Sequence, residues 1–237
     1  MRCHYQSRFG YLKRPLFGIA LLALIANHSG RAQTAEPCPG AAEWNRNHSS
    51  EVHSDGGVAT NPSNPSLSAE LHARFEEDQD ARRQWLAEPK NEVLALNVER
   101  IDTSNLDWLR KTIAQTGFPS ASQVGNEGVH FAWLLLQHAD TDPALQSKLL
   151  PVLEQRYSAG ELPANDLARF TDRILKAHGK PQRYGTQFNW MADDFKIPQG
   201  KALARIDSDR SRLGLMPLTD YVCTLRIGRG RIQSGGN

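Results

Sequence analysis

Long apolar runs are scarce in this 237-residue chain. The most prominent, Leu16 to Ala26, is well short of the roughly 20 residues that span a bilayer. It follows Arg2, Arg8, Lys13 and Arg14 and precedes the small residues of Gly30-Arg31-Ala32, the order of an export signal; a membrane anchor is the alternative. Cys38 lacks the Leu-small-small context of a lipoprotein signal. Cysteine is equally scarce. Of three, Cys3 lies in the signal, leaving Cys38 and Cys223. A bond between them would tie the two ends together, but only geometry decides such a pairing. There is no Cys-x-x-Cys or His-Glu-x-x-His, no Gly-rich phosphate loop or dinucleotide fingerprint, and no Gly-x-Ser-x-Gly elbow. These absences argue against zinc chemistry, nucleotide cofactors and a serine nucleophile, so neither cofactor nor metal is expected. Basic stripes are missing too. Residues 1 to 32 hold five of the 28 Lys and Arg and none of the 26 Asp and Glu, so the remainder is near −3. Nothing in it invites nucleic acid, and no stable membrane insertion is expected once the signal is removed.

What is present falls into four spans: a signal to residue 32, a linker or disordered arm from 33 to 66, a helical domain from 67 to 225, and a flexible tail from 226 to 237. The linker, rich in Ser, Asn, Gly and Pro, has no apolar periodicity. Within the domain, spacing predicts helices over Ser68 to Ala87, Thr103 to Gln115, and Asn126 to His138. More are predicted from Pro143, from Pro163, and over Pro217 to Leu225. The Asn126 to His138 segment is apolar on nearly all sides, which makes it the central helix, with His130, Gln137 and His138 as its polar interruptions. Asp78 and Arg82, one turn apart, fall on the apolar stripe of the first helix, where charges are costly unless paired or used. After Gly179 the period shifts to two, in Tyr184, Thr186, Phe188 and Trp190 and again in Ala202, Ala204 and Ile206, which predicts a β-hairpin. The expected fold class is mainly α: an antiparallel helical bundle with a small C-terminal β-hairpin.

Several short motifs lie along this frame: Asp78-Gln79 with Arg82, Asp102 and Asn105, Gly117-Phe118-Pro119, Gln137-His138-Ala139-Asp140, Asp172-Arg173, Gln182-Arg183-Tyr184-Gly185-Thr186-Gln187, and Arg212-Leu213-Gly214-Leu215. From about Leu71 to Tyr221 the chain resembles an uncharacterised family of bacterial proteins, often exported. That resemblance carries no established reaction, and adds weight to the polar positions.

Those positions form the candidate site. His138, Asp140 and Asp78 are the candidate catalytic groups, His138 as general base and a carboxylate to hold its tautomer. Arg82, Gln137, Arg173, Gln182, Tyr184, Thr186 and Gln187 are candidate ligand-binding residues, the arginines for an anionic group and the amides for polar atoms. His130 and His138 differ by about 80° around their helix, a poor arrangement for a shared metal. The alternative is a buried hydrogen-bond network, with His138 at a helix end, Asp172 paired with Lys176 on the surface, and the Tyr-Gly-Thr-Gln segment locking a hairpin onto the bundle. The expected function is an exported, metal-independent hydrolase or transferase acting on a small polar or cell-envelope substrate. A non-catalytic module binding a small polar ligand or peptide, and a structural interaction domain, are the other readings. The location implied is periplasmic or secreted.

Overall fold

The computed structural model describes residues 36–48, 61–188 and 195–234. Eight helices account for most of them: α1 (Pro39–Asn47), α2 (Pro65–Ala87), α3 (Glu92–Thr116), α4 (Ala121–Gln137), α5 (Pro143–Ser158), α6 (Ala164–Ala177), α7 (Lys201–Arg212) and α8 (Leu218–Ser234). The predicted signal segment lies outside the described residues, and no helix among them is long and apolar enough to cross a membrane.

Local signals account for the helix starts. Asn64 accepts from Leu67 N at 3.0 Å ahead of α2, and Asp142 from Leu145 N at 2.9 Å ahead of α5, each followed by a proline whose missing N–H costs nothing there. α3 begins well before the predicted Thr103, because Asn91 caps Val93 and Leu94. Val98 and Ile101 then continue the buried stripe. Exposed Val93 and Leu96 had blurred that stripe in the sequence.

α4 occupies the centre. Val129, Ala132, Trp133 and Leu136 are buried among Leu71 of α2, Leu109 of α3, Leu153 of α5 and Phe170 of α6. Full burial of one such side chain contributes about 1.5–3 kcal/mol. The helix is broken at Gly125, whose φ of 76° only glycine adopts readily. The Val124 carbonyl beside the break accepts from the Ser68 hydroxyl at 3.0 Å.

Two predictions are corrected. No strand occurs among the described residues, so the β-hairpin is absent there: residues 181–188 run without regular structure, and Ala202, Ala204 and Ile206 lie in α7. Residues 189–194, including Trp190, lie outside the described set. The alternation in Lys201 to Asp207 was incidental. That segment is rich in helix formers, and Leu203, Ile206 and Arg210 supply a helical inward stripe. The ends also differ from expectation. α1 forms inside the span read as a linker, and α8 continues to Ser234, into the span read as a tail. Pro39 at the first helical position and the disulfide between Cys38 and Cys223 (Cα–Cα 5.9 Å) hold α1 against α8. Gly40 makes that approach possible, since a β-carbon there would collide with the Asp220 carboxylate.

Candidate functional site

Three helices bring one polar cluster together beside the central helix. Asp78 and Arg82 come from α2, Asp102 from α3, and His138 from the C-terminal cap of α4. Asp78 is 1% exposed, and its Oδ1 lies 2.9 Å from His138 Nδ1. Arg82 Nε lies 3.3 and 3.4 Å from the two Asp78 oxygens and 3.1 Å from His138 Nδ1, while its Nη2 donates to Asp102. Gln79 donates to Asp78 Oδ2 at 2.7 Å.

Nδ1 cannot both donate to Asp78 and accept from Arg82. A proton on Nδ1 satisfies the buried carboxylate, and Arg82 Nε–H then divides itself between the Asp78 oxygens. This tautomer leaves Nε2 with a lone pair when the imidazole is neutral, and among the described residues Nε2 makes no hydrogen bond. With 14% of its side chain exposed, His138 is reachable from solvent.

The two carboxylates are in opposite electrostatic balance. Burial pushes Asp78 upward, but the His138 hydrogen bond, the charges of His138 and Arg82, and the Gln79 amide outweigh it, so Asp78 ionises below its ordinary value. At Asp102 burial wins over the attraction of Arg82 and His138, helped by repulsion from Asp78, and its carboxyl is raised. One ligand atom from each of Asp78, Asp102 and His138 lies within 4.8 Å of the others, a set from which a divalent ion could draw ligands. The Arg82 guanidinium already bonds both carboxylates there, so a metal would have to displace it.

The other predicted residues gather elsewhere. Asp172, which the alternative reading paired with Lys176 on the surface, is fully buried. It accepts from the backbone N–H groups of Arg183 (2.7 Å), Tyr184 (3.0 Å) and Thr186 (2.8 Å) and from the Thr186 hydroxyl (2.9 Å). Loop 182–187 is thus wrapped around one carboxylate. Arg210 of α7 clamps its far side, donating to Tyr184 O at 2.8 Å and to Met216 O at 2.6 Å. Burial lowers that guanidinium below its ordinary value. Gln182 exchanges two hydrogen bonds with the Gln187 backbone, at 2.7 and 2.8 Å, and the Gln187 amide donates to Arg169 O at 3.1 Å. Both glutamine side chains are committed to shaping the loop, and Tyr184 packs on Ala168 and Leu215.

A chain of contacts runs between the two centres. Arg173 grips both Asp140 oxygens and reaches Gln187 Oε1 at 3.4 Å. Asp140 lies only two residues beyond His138. Gln137 is buried, its side-chain oxygen without a hydrogen-bond partner among the described residues. The single predicted cluster is therefore two: Asp78, Arg82 and His138 meet, whereas Gln182, Tyr184 and Thr186 belong to the Asp172 loop.

The sequence reading did not nominate Asp102, Asp172, Arg210 or Asp166 as site residues. Asp166 is buried and lies 2.7 Å from His130 Nδ1, a second Asp–His pair, with the His130 ring stacked on Trp133. Asp166 occupies the first turn of α6, where an acid is ordinary, so no sequence signal singled it out.

A model for a family of unknown function, DUF6624, matches residues 65–231. The chain belongs to this family. Both polar centres fall inside the matched span, whereas α1 and Cys38 precede it. No curated protein and no solved structure matches the chain.

Proposed function

We propose that this DUF6624 protein is an exported enzyme, a metal-independent hydrolase or transferase for a small polar or cell-envelope substrate, with His138 as general base. The carrying observation is the Asp78–His138 pair: a buried carboxylate 2.9 Å from Nδ1, opposite an unpartnered Nε2. Asp78 fixes the tautomer and stabilises the imidazolium that forms. Arg82 holds Asp78 and Asp102 in place, and Asp102 is the carboxyl of the cluster that most readily carries a proton. Thr186 is engaged with Asp172, and among the described residues no hydroxyl or thiol hydrogen-bonds His138. The attacking group is then water or a substrate hydroxyl. Its proton passes to Nε2, its oxygen bonds to the reacting centre, and the leaving group departs with a proton from the imidazolium.

Export rests on the amino-terminal pattern and on the disulfide, which persists in oxidising compartments. Residues 1–32 are read as the signal and 67–225 as the domain it delivers. Amino-terminal sequencing of the protein from cell fractions checks this. A start near Gln33 supports export, and an intact Met1 in the cytoplasm rejects it.

For the chemistry, the purified protein is assayed on ester, amide, phosphoester and envelope-fragment panels beside His138→Gln. The variant is expected to lose about 100-fold or more in kcat/KM while keeping its melting temperature within a few degrees. A variant that melts far earlier, with no turnover by the parent, makes the cluster a structural network instead.

A further inference from the structure

A cavity of about 430 Å³ is bounded by loop 182–187, the end of α6, the segment before α7, α7 itself and the start of α8. That volume lies within the roughly 300–1,000 Å³ of small-molecule sites. Its floor is apolar: Gly185, Ile206 and Leu218 are buried there, with Phe188 alongside. Exposed Lys176 and Arg205 place positive charge on the rim, with Lys196 beside them, and none of the described residues that line the cavity is acidic. Lys176 and Arg205 make no ion pair among the described residues. Gln182 and Gln187 also line the cavity, but their amides are engaged, that of Gln182 by the Gln187 backbone and that of Gln187 by Arg169 and Arg173 of α6.

We propose that this cavity binds an amphipathic monoanion, a carboxylate carried on an apolar body of medium length. An apolar floor alone would accept a neutral hydrocarbon, and a cationic rim alone any small anion. The combination selects a molecule that has both. Glycine at 185 keeps the floor deep. A β-carbon there would come within 2.8 Å of Leu218 Cδ1, and φ is +68°. His138 does not line this cavity, so the site is separate from the proposed catalytic pair.

Titration calorimetry of the purified protein with octanoate below its micellar range tests this, with octanol, octylammonium and inorganic phosphate as controls. Saturable octanoate binding is expected, at least about tenfold tighter than octanol or phosphate, weakening with added salt. Octylammonium is expected not to bind. The exposed rim allows Lys176→Glu with Arg205→Glu, expected to weaken octanoate about tenfold without changing the melting temperature. His138→Gln is expected to bind octanoate as the parent does, which separates this site from the catalytic reading. Equal binding of octanol, equal binding of phosphate, an unaffected rim variant, or no saturation at millimolar octanoate would each overturn the proposal.

Discussion

Asp78 and Asp102 share the guanidinium of Arg82, and their proton affinities move in opposite directions. Asp78 is depressed, so its contribution to stability is complete above the ordinary carboxylate value of about 3.9 and is lost as pH falls through its folded value. Asp102 is raised, so folding favours its protonated form, and its contribution worsens as pH rises from about 3.9 to its folded value. Urea midpoints measured between pH 3 and 7 should therefore rise less steeply with pH in Asp78→Asn than in the parent. In Asp102→Asn they should rise more steeply. If both substitutions change the slope in the same direction, the assignment of the two environments is wrong. At this scale Asp78 and Arg82 were legible because one helical turn placed two charges on an apolar stripe. Asp102 was less so, since its partner lies on another helix and no local spacing announces it.

Loop 182–187 behaves as an element without being helix or strand. The alternation of Tyr184, Thr186 and, just beyond the loop, Phe188 resembled a strand, yet three of the loop's N–H groups turn toward a single side chain on α6 rather than toward a ladder. Replacing Asp172 by Asn leaves several buried donors competing for one neutral oxygen, and is expected to cost about 2–4 kcal/mol. Urea unfolding measures the loss, and amide exchange at Arg183, Tyr184 and Thr186 should quicken with it. A cost below about 1 kcal/mol with unchanged exchange would show that Arg210 and the glutamines hold the loop unaided. The helices themselves were readable from caps and apolar stripes. α7 was misread because a short helix of alternating small and charged residues satisfies both periods, and only its packing through Ile206 and Arg210 decides between them.

Across the whole molecule, the Cys38–Cys223 bond joins a helix outside the matched family span to the last helix within it. The pairing could be named from the sequence because only two cysteines, Cys38 and Cys223, lie beyond the segment read as a signal. The helix it holds could not, since Pro39 to Asn47 is short and carries little apolar pattern. Closing so long a loop stabilises a fold by about 2–4 kcal/mol, mainly by restricting the unfolded chain. Thermal unfolding with and without a reductant should show a loss of that order. An unchanged melting temperature after complete reduction would mean that α1 contributes nothing to the cooperative unit.

The same bond alters what a cut in the backbone does. Hydrolysis of one peptide link anywhere between Asn47 and Pro65 divides the chain into two polypeptides, yet α1 stays covalently attached through Cys38 to Cys223. A protein nicked there runs as a single band on a non-reducing gel and separates into a short and a long fragment only after the thiols are freed.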